Sequence, residues 1–357
     1  MDASHIYGQD ICQADSLRDF SGGKMQWTPS PIHGGKIMMP TTETNKECKS
    51  ELGKCYVAGD HRASEQPALA AIHTIFLREH NRIVDELARI NPHWGDERLY
   101  QEGRRIMGAA FQHITFNEFL PRIIGLNSMN LYDLRVRTEG YSNDYDPTCN
   151  PAIFNEFATA AFRSDTFWLT NIENDIYFLS PRFGHSLIRP MLTRMSDQFK
   201  TMDSHIRLRF VSVRLTGEIL IVILLYFREG FFNPDMLTHP KMMDEILRGL
   251  VSTPMEFMDQ FMSGEVTNHL FEEKNIPKSG LDLAALNIQR GRDHGLKSYN
   301  EYRVACNLKR AHNFDDMAGE INQVLQQRER EVSIMLILPA LGCDQETEAD
   351  LLLSRGH

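Results

Sequence analysis

The sequence lacks several features that define common protein classes. None of its six cysteines forms a Cys-x-x-Cys pair, which argues against a zinc ribbon. Its most apolar stretch, Ile219 to Phe227, is far shorter than the ~20 residues that a membrane-spanning helix needs. Positive charge is not in excess. The net charge of −10 and the pI of about 5.8 give no basic surface for nucleic acid.

A secretory leader is also missing at the start of the chain. Met1 to His5 has neither a basic nor an apolar region, which predicts an intracellular protein if the sequence is complete. If the sequence is part of a longer secreted protein, it predicts nothing about location.

Cys48 and Cys55 flank a short loop with Gly53. In an oxidising compartment they could form a disulfide, and otherwise they would remain two thiols.

The composition is that of a globular protein. The 357 residues, with 42% hydrophobic and 24% charged, suffice for one large domain or two ordinary ones. Apolar residues recur mostly at helical spacing, and sustained alternation with period two is absent. The sequence therefore predicts a mainly α fold with little β structure.

The most informative segment begins a predicted helix. Pro67 suits a first helical turn, because its missing N–H would have no partner there. Apolar residues then recur at helical spacing up to Asn91, and we expect them to form the buried face: Leu69, Ile72, Phe76, Ile83, Leu87 and Ile90. Arg62 and Glu65 precede the helix. Taken alone, they fit an exposed ion pair of little energetic weight.

A second helix is predicted from Asp96, as N-cap, to about Pro121. His73 and His80 lie on one face of the first helix, about 10 Å apart, too far to share a metal ion. These two and His113 are expected to be core or hydrogen-bonding histidines. Further helices are predicted at 150–163, 236–250, 254–262 and 300–309.

Three motifs, in this order, resemble those of the animal haem peroxidases, and most of all peroxidasin-type domains. They are the segment from Ala58 to Pro67 with its continuation Arg78 to Ile83, the segment Phe183 to Ile188, and the segment Leu286 to Leu296. The resemblance covers most of residues 1–330. It implies a large helical domain that binds haem b and uses hydrogen peroxide to oxidise halide or phenolic donors.

The resemblance also implies roles for individual residues. On the proximal side, His185 would be the axial ligand of the haem iron, with Asn287 hydrogen-bonded to its other ring nitrogen. Arg182 and Arg290 match arginines that pair with haem propionates. Without the resemblance to the family motif, His185 would be expected to be an ordinary histidine in a capped turn.

On the distal side, Arg62 matches the arginine that stabilises charge on the departing oxygen of peroxide. Glu65 matches a glutamate that can form an ester with a haem methyl group. Gln66 replaces the methionine that one branch of the family uses for a sulfonium link, which favours the peroxidasin-like branch.

The sequence departs from the family at its start. Asp2 and Ser4 match the last ligands of a calcium loop, but two oxygen ligands do not hold an ion that needs about 6–8. No Asp-His-Asp run, the context of the distal histidine, occurs in the sequence, and His5, His33 and His61 lie in other contexts. We expect the remaining ligands and the distal histidine to lie upstream of Met1.

Three further departures mark the predicted domain, which extends over residues 1–330. Insertions of about Ser164 to Pro181 and Val211 to Gly230 interrupt familiar segments, and residues 331–357 form a divergent tail.

Two functions of different class follow. One is a haem peroxidase, impaired in this chain by the missing distal histidine. The other is a catalytically inactive, truncated peroxidase-like fragment that acts only as a binding or structural protein.

Overall fold

The computed structural model describes residues 2–30, 35–43, 48, 50–52, 54–143, 145–150, 152–161, 213–215, 218–220, 230–238, 241–252, 262–273 and 275–317. This part of the chain is mainly helical with very little strand, so the predicted fold class is confirmed. The predicted helix at 254–262 and the tail at 331–357 lie outside the described residues.

Two long helices form the centre of the described fold, namely α3 (Pro67–Ile90) and α4 (Asp96–His113). Two short helices come before them, α1 (Ser4–Tyr7) and α2 (Ile11–Ser16). Four helical segments follow α4: a π-helix (Ile114–Phe119), α5 (Leu120–Ile123), α6 (Gly125–Leu131) and a second π-helix (Phe157–Ala161). Later helices are a 3-10 helix (Pro234–Thr238), α7 (Met242–Ser252), α8 (Gly264–Thr267), α9 (Leu283–Asp293), α10 (Tyr299–Ala305) and a 3-10 helix (Phe314–Met317).

The described strands form three antiparallel pairs: β1 (Thr28–Pro29) with β2 (Ile37–Met38), β3 (Thr41–Glu43) with β4 (Lys54–Tyr56), and β5 (Val213–Leu215) with β6 (Glu218–Leu220). A disulfide joins Cys48 to Cys55, with 6.2 Å between their Cα atoms. Of the two states expected for these cysteines, the structure therefore shows the disulfide. It stabilises the connection between β3 and β4 by restricting the unfolded chain.

The buried face of α3 differs from the predicted apolar stripe. Several of its buried side chains are small or polar, and they include Ala70, His73, Thr74, His80 and Asn81. Most of the apolar residues that were predicted to form the buried face are half-buried instead. Ile90 is 64% exposed.

Close packing explains the composition of this face. A Cβ atom added to Gly103 of α4 would lie 2.6 Å from Cγ1 of Val84 on α3. Polar atoms on the same face have long-range partners. The Asn81 side chain accepts a hydrogen bond from the backbone N–H of Met25 (2.8 Å) and donates to the Met25 carbonyl (3.2 Å). Small side chains permit the approach of α4, and these hydrogen bonds offset the cost of burying polar groups.

Asp96 does not cap α4 as predicted, because Gly95 is the N-cap residue. The Asp96 carboxylate instead accepts a hydrogen bond from the backbone N–H of Gly23 (2.6 Å) and pairs with Nη2 of Arg18 (2.8 Å). The guanidinium of Arg18 also contacts Glu97 (2.5 Å) and lies 4.0 Å from the ring centroid of Tyr100. This partly buried cluster joins the N-terminal segment to the start of α4.

The second predicted helix does not stop at Pro121. The helical backbone continues through the π-helix and α5 into α6, with only Ile124 outside the two α-helices. Pro121 lies in the first turn of α5, directly after its junction with the π-helix. The described helices include none with both the length and the hydropathy needed to cross a membrane.

Candidate active site

Arg62 lies in the turn between β4 and α3, and one neighbour fixes its guanidinium. Nε donates to Oδ1 of Asp60 (2.9 Å) and Nη2 donates to Oδ2 of the same carboxylate (2.8 Å). The backbone N–H of Arg62 donates to Oδ1 as well (2.8 Å). The hydrogen bond to Asp60 raises the pKa of Arg62, so this side chain stays cationic. It is 49% exposed, which leaves the other face of the guanidinium accessible.

Glu65 and Gln66 connect this turn to α3. The Glu65 backbone N–H donates to the carbonyl of Arg62 (2.9 Å), which holds the two predicted distal residues on one turn. The side-chain oxygen of Gln66 accepts from the backbone N–H of Ala68 (2.8 Å) and so caps α3. Nε2 of Gln66 is buried, and none of the described residues forms a hydrogen bond with it.

A second segment packs against the same turn from the C-terminal part of the chain. The backbone N–H of Phe232 donates to the carbonyl of Glu65 (2.8 Å), and Gly230 lies directly against the ring of Pro67. Asp235 in the following 3-10 helix accepts hydrogen bonds from Ser50 Oγ (2.6 Å) and from two backbone N–H groups. The segment therefore bridges the disulfide-closed loop and the Arg62 turn.

Two histidines lie beside the Arg62 turn. The rings of His5 and His73 have centroids 5.4 Å apart, and His5 also contacts the ring of Phe111 (4.7 Å). Burial lowers the pKa of His5 and lowers that of His73 to about 4, so both rings are neutral at pH 7. His73 is buried, as predicted, whereas His61 is exposed and lies 3.8 Å from the Asp60 carboxylate.

A small cavity lies near these histidines. It has a volume of about 10 Å³ and is lined mainly by apolar side chains, with Ile6, Leu77 and His73 among them. This is room for a single water molecule, not for a porphyrin. Arg62 and Glu65 do not line it.

Asp2 and Ser4 form a local turn. The Asp2 carboxylate accepts a hydrogen bond from the backbone N–H of Ser4 (3.0 Å). Among the described residues, no group of three or more His, Cys, Asp or Glu side chains is arranged to bind a metal ion. The calcium site therefore stays a prediction from resemblance.

Asn287 and Arg290 lie on α9, one helical turn apart. Asp282 caps this helix by accepting from the backbone N–H of Ala284 (2.8 Å), and Asn287 is half-buried whereas Arg290 is exposed. Asn155, next to the second π-helix, holds the other end of α9 because its Oδ1 lies 2.9 Å from Nδ1 of His294.

The predicted proximal residues His185 and Arg182 lie outside the described residues. Their placement opposite Arg62, and the contact between His185 and Asn287, therefore stay predictions. Sequence reasoning missed Asp60 as the partner of Arg62. Its position two residues before Arg62, typical of an Asx turn, would have indicated it.

Comparisons with known proteins agree with the motifs. The family model described as animal haem peroxidase matches residues 1–332. The peroxidasin homolog of Homo sapiens is 37% identical over 330 residues, which are 90% of this chain and 19% of that protein. The thyroid peroxidase of Rattus norvegicus is 34% identical over 346 residues, which are 94% of this chain and 32% of that protein.

Solved structures share the fold. Peroxidase A from Dictyostelium discoideum superimposes with a TM-score of 0.70 at 27% identity, covering 97% of this chain and 57% of that one. A fatty acid alpha-dioxygenase from Arabidopsis thaliana gives 0.59 at 14% identity, covering 99% and 53% of the two chains, and shows likeness of fold alone.

These likenesses define the class, a mainly helical domain of the haem peroxidase type. The chain belongs to the animal haem peroxidase family. It spans about a fifth of the length of the human peroxidasin homolog and about a third of that of rat thyroid peroxidase.

Proposed function

We propose that this chain is the larger part of a haem-dependent peroxidase domain that uses hydrogen peroxide to oxidise halide or phenolic donors. The observation that carries the proposal is the Arg62 turn. In a chain of this family, Asp60 holds a permanently cationic guanidinium next to Glu65 at the start of α3. A fixed cation with an accessible face is suited to stabilise negative charge on a departing oxygen.

The chemistry of Gln66 and Glu65 supports a haem on the distal side. Gln66 is committed to capping α3, which agrees with the absence of a sulfonium link, and its buried Nε2 remains a donor for a bound polar group. Glu65 is half-buried beside it and supplies the carboxylate for an ester link to the haem. When bound, haem b supplies the redox chemistry. This chain's residues hold it and polarise peroxide.

The proximal residues are assigned from the family motifs. His185 would hold the iron, and Asn287 would accept a hydrogen bond from its other ring nitrogen, which would make the imidazole electron-rich. Arg182 and Arg290 would pair with the haem propionates. The exposure of Arg290 and its place one turn from Asn287 on α9 support the role of Arg290.

Proton transfer on the distal side is the step that this chain supports least. His5 packs against aromatic rings, and no histidine lies in an Asp-His-Asp run. We infer that the chain alone polarises peroxide through Arg62, and that none of the described residues supplies a positioned base. Asp2 and Ser4 would complete a calcium loop with oxygen ligands from an added segment. By family likeness the domain would act outside the cell.

Donor oxidation tests this function. The chain is loaded with haemin, freed of excess haemin and mixed with hydrogen peroxide and either iodide or guaiacol. Both donors should be oxidised faster than by free haemin at the same concentration, and the rate should saturate with peroxide because the site binds it. A rate equal to that of free haemin would favour the alternative, an inactive fragment that acts only as a binding protein.

A further inference from the structure

Two tyrosines are buried side by side between α1 and α4, and within the described part of the chain the hydroxyl of only one has a hydrogen-bond partner. Tyr7 is 0% exposed and Tyr100 is 1% exposed, and their rings lie 6.0 Å apart at nearly right angles. The hydroxyl of Tyr7 lies 2.8 Å from Nδ1 of His80. The hydroxyl of Tyr100 has no hydrogen-bond partner among the described residues. The pair is therefore a natural comparison of a phenol with a base and a phenol without one.

The contacts of His80 define its protonation. Nε2 lies 2.9 Å from the carbonyl oxygen of Gly23, which can only accept, so Nε2 carries a hydrogen. Burial lowers the pKa of His80 to about 4, so the ring is neutral at pH 7 and its Nδ1 has a free lone pair. Tyr7 therefore donates its O–H to Nδ1. The His80 side chain is 0% exposed, which excludes water from this contact.

This geometry decides which tyrosine can lose an electron. Removing one electron from a phenol makes its O–H so strongly acidic that even a buried imidazole can take up the proton. The guanidinium of Arg104 lies 5.4 Å from the ring centroid of Tyr7 and disfavours a positive charge on this ring. Oxidation of Tyr7 is therefore favoured when the proton moves to an acceptor in hydrogen-bond contact, which then carries the charge. Nδ1 of His80 is such an acceptor, whereas the hydroxyl of Tyr100 has none among the described residues.

We propose that Tyr7 is a redox-active residue whose phenolic proton moves to Nδ1 of His80 when the ring loses an electron. The Tyr7 O–H bond breaks, an N–H bond forms on His80, and a neutral tyrosyl radical remains beside an imidazolium. The electron reduces a one-electron oxidant. In the cell this would be the peroxide-oxidised haem, and that part rests on the proposed function. When a donor returns an electron to Tyr7, the proton moves back.

Such a site would give the domain an internal electron donor when no small donor is bound. It would remove oxidising equivalents from the haem and hold them in the core between α1, α3 and α4. The Arg62 turn, where the proposed chemistry with peroxide takes place, does not contribute to this site.

Site-specific labelling tests the proposal without altering the fold. The full chain carries 3,5-difluorotyrosine at position 7 or, as the matched control, at position 100. It is oxidised with photogenerated ruthenium(III) tris-bipyridine and frozen for electron paramagnetic resonance. The fluorine-split signal should be at least about tenfold stronger for position 7, a factor within reach of one good hydrogen bond. Equal signals, or a stronger one for position 100, would overturn the proposal.

His80→Gln separates the role of the base from that of the hydrogen bond. Glutamine can still accept from Tyr7 and donate to the Gly23 carbonyl, but it does not take up the proton. The signal of position 7 should fall to the level of position 100, while the thermal unfolding midpoint shows whether the variant is folded. An unchanged signal in the folded variant would contradict the role of His80, and an unfolded variant leaves the comparison of the two labels decisive.

A second oxidant distinguishes this proposal from the proposed function. The labelled chain is loaded with haemin and treated with hydrogen peroxide in place of the ruthenium complex. A position-7 signal with both oxidants supports both proposals. A signal with ruthenium alone supports the Tyr7–His80 site and counts against the haem as its oxidant. No position-7 signal with either oxidant overturns the Tyr7–His80 site.

Discussion

Joining the chain to an N-terminal segment that carries an Asp-His-Asp run and the rest of the calcium loop should raise peroxide turnover by about 10²–10⁴-fold. This is the range that general acid–base catalysis typically contributes. The added histidine takes the first proton of peroxide and returns it to the leaving hydroxyl, next to the charge that Arg62 stabilises. The added loop also provides the further oxygen ligands that are needed, together with Asp2 and Ser4, to bind calcium. Turnover is measured with haemin-loaded protein and saturating guaiacol.

The matched control for this experiment is the same fusion with alanine in place of the added histidine. It keeps the calcium loop and should show little of the gain. Full activity in the unfused chain would contradict the account, because one of His5, His33 or His61 would then supply the base. Haem uptake followed by no gain from the fusion would also contradict it.

Replacing Arg62 by glutamine in the fused protein should lower kcat by about 10²–10³-fold, the usual effect of removing one preorganised donor from a site of developing charge. Asp60 fixes the guanidinium through two hydrogen bonds, so its direction is set before peroxide binds. Asp60→Asn should cause a smaller loss, because the charge of Arg62 remains while its position loosens. The measurement is kcat and KM for hydrogen peroxide.

Arg82→Gln is a matched control for the Arg62 variant. Arg82 also forms a two-bond pair with a carboxylate, that of Glu79, but on the exposed face of α3. Its removal should leave kcat unchanged, because a surface ion pair has little energetic effect. An Arg62→Gln variant that retains the activity of the Arg82 variant would remove Arg62 from the proposed distal site.

The sequence predicted local features of the fold well. The start of α3 at Pro67 and its end before Asn91 follow from rules that involve only neighbouring residues, and the structure confirms both. The Arg62–Glu65 turn is local in the same way. Such features depend on the backbone conformation of a few consecutive residues. This conformation follows directly from the types of those residues.

Features that depend on distant partners could not be predicted. His80 is buried and hydrogen-bonded, as predicted, but its partner Tyr7 lies 73 residues earlier in the chain and was not predicted. Apolar periodicity gives no weight to Asn81, which is buried with its partner Met25, 56 residues earlier. Asp96 had the expected chemistry for a helix cap, but it binds Arg18, which is 78 residues away. A sequence pattern alone does not show which polar residues will find such partners.

The proximal half of the candidate site has the same limit. The family motifs assign roles to His185, Arg182, Asn287 and Arg290. Whether His185 lies opposite Arg62 across a haem depends on how segments far apart in the chain pack together, which motifs do not show. The structure places Arg62 and Glu65 on one turn and Asn287 and Arg290 on one helix. The joining of these two parts by His185 is the central claim that remains to be measured.

Haem binding through His185 can be measured directly by titrating the purified chain with haemin and following the Soret absorption band. The account predicts saturation at one haem per chain with the spectrum of a histidine-ligated iron. His185→Ala should lose this band, and added imidazole should restore it by replacing the missing ligand. His93→Ala, which removes an exposed histidine, should leave it unchanged. A His185→Ala variant that binds haem with the wild-type spectrum, or a wild-type chain that takes up none, would contradict the account.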